Sequence, residues 1–201
     1  AFHGWKMPRE QMKDDPEKSG PQFQDDEEAV TEGELQHAVY YLLKYRPDEL
    51  YVYSRGSAVW ANVQEIAPEV ADLIGAVNYM APAKLRTNWG AADIDLKNKP
   101  GKVYAAPQDG KIPLKQAASI AQDIGQTNIT LVDVAPRGVD MSDPKGFGRK
   151  GHATMRATKF FNSTKEIPVD DVLSSDLPDW GDADAKSDEL KDQMVFAKEK
   201  G

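Results

Sequence analysis

Apolar side chains recur at helical spacing in two parts of this chain. The first set follows Thr31 and Glu34, which match the S/T-x-x-E capping box of a helix start, and comprises Leu35, Ala38, Val39, Leu42 and Leu43. The second set lies within the segment 109–136 and comprises Leu114, Ala117, Ala118, Ala121 and Ile124. Positions i, i+3, i+4 and i+7 share one face of a helix. The pattern therefore predicts amphipathic helices at 31–46 and 112–124, the second ended by Gly125.

Three strands are predicted by β-branched and alternating residues. The stretch Ile129–Val134 carries β-branched side chains on both alternating faces, which is typical of a strand covered on both sides. Shorter strands are predicted at 50–53 and 102–105. We expect the helix at 112–124 to pack on a sheet that contains both 102–105 and 128–135.

Two further helices are predicted between these strands, at 57–66 and 68–79. Pro68 is well placed for the first turn of the second helix, whose inward stripe would consist of Val70, Leu73, Ile74 and Val77. Residues 81–107 lose this periodicity and gather Pro and Gly, which indicates a long connection. Together the elements predict an α+β fold in which helices pack on a small sheet.

The charge of the chain is divided into three parts. The formal net charge of −8 combines −6 in residues 1–36, +4 in residues 37–164 and −6 in residues 165–201. We therefore predict one compact body at 31–161 between two acidic arms at 1–30 and 162–201. The body would consist of a helical part, a helix–strand unit and a basic loop, at 31–80, 102–136 and 137–161.

The acidic arms carry isolated aromatic and aliphatic side chains among their charges. Such a composition does not repay the entropy of ordering by itself, so the arms would become ordered only on a partner. The candidate partner-docking residues are Trp5, Phe23, Leu177 and Trp180. Two alternatives stay open, namely docking arms and solvated flexible tails. The docking hypothesis predicts an extended path in an assembly and early proteolytic trimming of both ends in the free protein.

A basic, glycine-rich segment at 137–161 is the strongest binding candidate in the sequence. Arginine and lysine contacts to phosphates, combined with aromatic stacking, are the usual ingredients of RNA binding. The candidate RNA-binding residues are Arg137, Lys145, Arg149, Lys150, Arg156 and Lys159. The alternatives are a solvated basic loop and a loop that pairs with the acidic ends of the same chain.

The stretch DGKIPLKQAASIAQDIGQTNITLVDVAP resembles part of the N-terminal domain of bacterial translation initiation factor three. The resemblance lies in an Asp-Gly turn, a helix of small and aliphatic residues, and a strand that ends on Ala-Pro at Pro136. It covers about residues 102–136. Beyond Pro136 the chain departs from that family, since it lacks a second proline, a cysteine and the family's RNA-binding C-terminal domain. The resemblance implies a related fold used near a ribosome.

Sequence motifs for catalysis, metals and cofactors are weak in this chain. Residues Gly146–Gly151 match G-x-G-x-x-G, but they follow the predicted strand ten residues too late for a dinucleotide site. The absence of cysteine excludes disulfides and thiolate metal sites. The three histidines are scattered singly, and Ser54, Ser57 and Ser119 have no G-x-S-x-G setting. The sequence therefore predicts a protein without catalytic residues, metal or cofactor.

We interpret the chain from its sequence as a structural subunit of an organellar ribosome in the mitochondrial matrix. It would touch ribosomal RNA through its basic segment and neighbouring ribosomal proteins through its arms. The alternative is an accessory subunit of a mitochondrial membrane complex, such as a respiratory complex or ATP synthase, without nucleic-acid contact. No stretch of the sequence approaches the ~18 apolar residues that span a membrane. The N-terminal Ala1 fits either methionine removal or presequence cleavage.

Overall fold

A computed structural model describes residues 2–3, 30–83, 99–132, 150–153, 155–156, 164–180 and 184–200 of the chain. Within these residues the centre of the molecule is one six-stranded sheet whose spatial order follows the chain order. Its strands are β1 (Phe2–His3), β2 (Glu49–Tyr53), β3 (Ala76–Met80), β4 (Val103–Ala105), β5 (Asn128–Val132) and β6 (Thr164–Pro168).

Six helices accompany the sheet in the described part of the chain. They are α1 (Glu32–Tyr45), α2 (Gly56–Ile66), α3 (Pro68–Ala71), α4 (Leu114–Asp123), α5 (Val169–Leu173) and α6 (Ser187–Glu199). A further helical turn spans residues 150–153. None of the described helices is both long and apolar enough to cross a membrane.

Strands β1 to β5 run parallel, and only β6 is antiparallel to its neighbour. Parallel neighbours need a crossover connection, which α2 and α3 provide between β2 and β3, and α4 provides between β4 and β5. Because the strands are parallel, their carboxyl ends meet at one edge of the sheet. This carboxyl edge is where open α/β sheets bind their ligands.

The core lies mainly on one face of the sheet. Side chains in a strand alternate between the two faces, so every second residue shares a face. The strand residues of the main apolar cluster are spaced in this way, as Leu50 and Val52 are in β2. All six helices contribute to or pack against this cluster. The other face carries a smaller apolar cluster near the carboxyl edge, formed by Tyr53, Met80, Ala81, Ala106, Ile112, Val132 and Met155.

The predicted α+β class is confirmed, with a sheet that is mostly parallel. The Thr31–Glu34 capping box is present, since the Thr31 N–H donates to the Glu34 carboxylate at 2.8 Å and the Glu34 N–H donates to the Thr31 hydroxyl at 3.2 Å. The expected helix at 112–124 appears as α4. The strands that flank it, β4 and β5, are neighbours in the same sheet.

The helix predicted at 68–79 is wrong in its second half. Helix α3 ends at Ala71, and residues Ala76–Met80 form strand β3. Gly75 lies in the bend between α3 and β3. Its N–H and that of Ala76 both donate to the Asp48 carbonyl at 3.0 Å, which fixes the start of β3. Leu73, assigned to the inward stripe, is 45% exposed. The apolar positions fitted a helical period, but Val77 and Tyr79 instead alternate with Asn78 and Met80 across a strand.

The C-terminal segment also differs from its prediction as an acidic arm at 162–201. Strand β6 pairs with β5 along its whole length, and α5 packs on α4. Leu177 is 7% exposed within the main core of the same chain, so its apolar surface is already buried. Trp180 packs against Ala185 and Leu190. The compact body therefore continues past residue 161, because apolar anchors among the acidic residues dock on the chain itself.

Candidate active site

Ser54 lies at the carboxyl edge of the sheet, immediately after β2 and two residues before α2. Its φ of 50° is in the left-handed region, which is uncommon for a residue with a side chain. Three main-chain hydrogen bonds between described residues hold this turn. The Ser54 N–H donates to the Met80 carbonyl at 3.0 Å, and the Ser54 carbonyl accepts the N–H groups of Ala83 at 3.1 Å and Ser57 at 3.0 Å. The strand–turn–helix unit thus presents the Ser54 side chain at the edge rather than in the core.

Asp109 lies in the loop between β4 and α4 and is 1% exposed. One carboxylate oxygen accepts the N–H groups of Lys111 at 2.8 Å and Ile112 at 3.0 Å. These bonds form within the Asp-Gly turn, where an Asp side chain often bonds the backbone two residues on. They leave the second carboxylate oxygen directed away from the turn.

His152 connects the two preceding residues by hydrogen bonds. Its Nδ1 lies 2.8 Å from the second carboxylate oxygen of Asp109, and its Nε2 lies 2.9 Å from the Ser54 hydroxyl oxygen. An ionised carboxylate only accepts hydrogen bonds. In the neutral ring, therefore, Nδ1 carries the proton, and Nε2 is the acceptor for the Ser54 hydroxyl. Ser54, His152 and Asp109 form a continuous chain, which we call the Ser–His–Asp triad.

The helical turn at 150–153 reaches the Asp109 loop through a close backbone approach at Gly151. A Cβ atom at this position would overlap the Gln108 carbonyl oxygen. Only glycine avoids that overlap without a shift of the backbone. The His152 ring is placed next to Asp109 by this contact.

Tyr53 belongs to the smaller apolar cluster and contacts His152. Its hydroxyl donates to the His152 carbonyl at 2.9 Å, and the two ring centroids are 5.1 Å apart. Burial raises the pKa of the Tyr53 phenol to about 12, so the phenol keeps its proton and remains a donor at ordinary pH. The Arg156 guanidinium lies 5.5 Å from the Tyr53 ring centroid, within the range of a cation–π contact.

Arg55 ties the serine turn to helix α1. Its guanidinium pairs with the buried Glu34 carboxylate through two contacts, at 2.7 and 3.1 Å. A two-point pair of this kind fixes orientation as well as distance. The Arg55 side chain is therefore held against α1.

The predicted RNA-binding residues fall mostly outside the described residues. Arg137, Lys145, Arg149 and Lys159 lie there, and so do the predicted docking residues Trp5 and Phe23. Lys150 and Arg156 are described and exposed. The structure places these two on either side of His152, within the same short segment.

Local sequence patterns identify none of the three triad residues as catalytic. Ser54 lacks the first glycine of G-x-S-x-G, since Val52 stands there, although Gly56 supplies the second. His152 has no other histidine near it in sequence, so the sequence gives it no metal-site pattern. The available signal was the order of Ser54, Asp109 and His152 after three predicted strands, with serine at a strand-to-helix junction.

No protein-family model, no curated protein and no solved structure matches this chain. The resemblance to the initiation-factor domain stays a prediction.

Proposed function

We propose that this protein is a serine hydrolase that cleaves an acyl bond through a covalent intermediate on Ser54. The observation that carries the proposal is the continuous hydrogen-bond chain from Asp109 through His152 to Ser54, at 2.8 and 2.9 Å. A nucleophile within hydrogen-bond reach of a base, with the base oriented by a third group, is the signature of an activated serine.

Each residue has a distinct role in the proposed reaction. His152 Nε2 takes the hydroxyl proton as Ser54 Oγ bonds to the substrate carbonyl carbon, and then gives that proton to the leaving group as the acyl bond breaks. Water repeats the cycle on the acyl-enzyme and releases a carboxylic acid. Asp109 holds the ring in the required tautomer and stabilises the imidazolium that forms in each half.

The oxyanion formed in each half would lie near the start of α2. A helix N-terminus has main-chain N–H groups directed outward and a positive end of its dipole. Helix α2 starts two residues after Ser54, and in a serine turn of this type the residue after the nucleophile supplies one oxyanion donor. The corresponding residue here is Arg55, whose side chain is fixed by Glu34.

The topology adds support by analogy. Hydrolases with a parallel sheet carry the serine on a strained strand-to-helix turn, followed in the chain by the acid and then the histidine. Here Ser54 follows β2, Asp109 follows β4, and His152 follows β5. All three lie at the carboxyl edge, where such sites are found.

Hydrolysis of 4-nitrophenyl acetate by the purified full chain tests this function. We expect turnover by the wild-type protein and its loss in Ser54→Ala, because the alanine side chain offers no nucleophile. Ser57→Ala is the matched control, since the fully buried Ser57 hydroxyl lies one turn away and has no hydrogen-bond partner among the described residues. Equal rates in wild type and Ser54→Ala would contradict the proposal.

The ribosomal and membrane-complex hypotheses remain predictions from the sequence. In the described residues no observation favours either of them over a hydrolase. The triple replacement of Arg149, Lys150 and Arg156 by glutamate, followed by sedimentation with ribosomal RNA, tests the ribosomal hypothesis. Loss of co-sedimentation with retained secondary structure would favour the ribosomal hypothesis. Unchanged co-sedimentation would contradict RNA contact through the basic segment, on which that hypothesis rests.

A further inference from the structure

The loop that carries Asp109 is held from outside by a single buried side chain of α6. Gln193 is 0% exposed. Its amide nitrogen donates to the Pro107 carbonyl at 2.9 Å, and its amide oxygen accepts the Leu114 N–H at 2.8 Å. The two contacted main-chain groups lie on either side of Asp109, one at each end of its loop.

The chemistry of these two bonds requires an amide at residue 193. Leu114 is the first residue of α4, so its N–H has no partner within the helix, and Pro113 before it offers no side-chain cap. A buried polar group that is left unpaired costs free energy. Only a side chain with both a donor and an acceptor satisfies the Pro107 carbonyl and the Leu114 N–H together, which an isosteric apolar side chain does not.

The segment before α6 adds two more ties to the same loop. The Ala185 N–H donates to the Gly110 carbonyl at 2.8 Å. The Lys111 ammonium forms an ion pair with the Asp184 carboxylate. The residues that bond the Asp109 carboxylate from within the loop, Lys111 and Ile112, therefore belong to a backbone whose ends are both held by the C-terminal segment.

We propose that Gln193 is a positioning residue that keeps the Asp109 carboxylate directed at His152. This inference rests on the proposed hydrolase function. Gln193 touches neither substrate nor His152. It acts by fixing the shape of the 107–114 loop, and with it the direction of the second carboxylate oxygen.

Steady-state kinetics of Gln193 variants with 4-nitrophenyl acetate test the proposal. Gln193→Met keeps the side-chain volume and removes both bonds, whereas Gln193→Glu keeps an acceptor for Leu114 and loses the donor to Pro107. Misplacement of a reacting group by about 1 Å costs on the order of 100-fold in rate. We therefore expect kcat to fall between about 10-fold and 100-fold in Gln193→Met, and at least as far in Gln193→Glu, because its buried carboxylate would face the Pro107 carbonyl oxygen, with KM unchanged in both.

Val172→Ala is the control for general loss of stability. Val172 is fully buried in the main core on α5 and forms no hydrogen bond to the 107–114 loop. This variant should lower Tm while kcat stays at the wild-type value at temperatures where the protein remains folded. If Gln193→Met does not fold, Gln193→Glu carries the same comparison.

The outcomes separate this inference from the function on which it rests. A wild-type protein that neither turns over the ester nor reacts with a fluorophosphonate overturns both. An active wild type with a folded Gln193→Met or Gln193→Glu variant of wild-type kcat overturns the positioning role alone. A reduced kcat with unchanged KM, absent in Val172→Ala, supports it.

Discussion

At the scale of single residues, backbone strain is placed next to the proposed chemistry. Ser54 at φ 50° and Ala81 at φ 42° are two of the three described non-glycine residues with positive φ, and they directly follow the neighbouring strands β2 and β3. Such conformations cost free energy and persist where the surrounding structure fixes them. Here the hydrogen bonds of Ser54 to Met80 and Ala83 do so. The half-buried serine side chain lies at the carboxyl edge, within hydrogen-bond distance of His152.

The sequence carried little of this residue-scale information. Neither the amino-acid composition nor the spacing of apolar residues shows that Ser54, Asp109 and His152 meet, since long stretches of chain separate each from the next. Nor does it show that Ser54 is strained, because serine has no special preference for positive φ. The capping box at Thr31 and Glu34 was predictable, because its two partners lie within one helical turn.

Asp109→Asn tests the role of the acid. The amide would still accept the N–H groups of Lys111 and Ile112, so the loop should keep its shape, but it would present a donor to His152 Nδ1 and favour the wrong tautomer. We expect the protein to fold with a nearly unchanged Tm and kcat/KM to fall by on the order of 10⁴-fold. Activity within a few-fold of wild type would show that Asp109 does not orient the histidine.

Tyr53→Phe tests the burial of the phenol through alkaline stability. The pKa of Tyr53 is raised to about 12 in the folded state, above the ordinary value of about 10 for an unfolded chain. The stabilisation is therefore complete below pH 10 and is lost as pH rises toward 12. Denaturant unfolding at several pH values should show a loss that is smaller in Tyr53→Phe, by on the order of 2 kcal/mol. Parallel pH curves for the two proteins would contradict this.

At the scale of elements, the proposed site is assembled from the ends of three parallel strands. Helix α2 starts at the serine turn, the β4–α4 loop supplies the acid, and the turn at 150–153 supplies the base. Sequence patterns predicted α1, α2 and α4 and the strands β2, β4 and β5, because short local patterns of apolar residues mark them, with the clearest period in α1 and α4. They missed β3, where a helical period and a strand period were both compatible with the same apolar residues and tertiary packing decided between them.

Gly151→Ala tests whether the turn at 150–153 must approach the Asp109 loop. A Cβ atom would overlap the Gln108 carbonyl, so the turn should move and carry His152 away from Asp109. We expect a loss of about 100-fold in kcat/KM with most of the fold retained. Ala153→Gly in the same turn is the control, since Ala153 is exposed, and it should keep near wild-type activity. Equal activity in the two variants would show that the contact has no catalytic consequence.

At the scale of the whole molecule, β6, α5 and α6 near the C-terminus are part of the body. Strand β6 forms one edge of the sheet, α5 packs on α4, and α6 contacts the Asp109 loop through Gln193. The high density of acidic residues in this segment predicted an arm. Average charge does not reveal the few apolar side chains, such as Leu177, through which the segment packs on the rest of the chain. Long-range contacts such as Gln193 to Pro107 leave no local signal in a single sequence.

Limited proteolysis of the free protein tests this integration. Docking of β6, α5 and α6 predicts that the segment 164–200 resists cleavage as long as the body does, since cleavage requires local opening of the backbone. The matched variant is Val172→Ala, which weakens the α5 contact and should make this segment more sensitive. Trimming of 164–200 from the wild-type protein before any cleavage in α4 would contradict the prediction.

The central claim is that Ser54 is a nucleophile activated by His152, and covalent labelling tests it most directly. The purified chain is treated with a fluorophosphonate, and the intact mass and the modified peptide are determined. We predict one adduct per chain, located on Ser54, absent in Ser54→Ala, strongly slowed in His152→Gln, and retained in Ser57→Ala. An unlabelled wild-type protein, or an adduct on another residue with Ser54 unmodified, would contradict it.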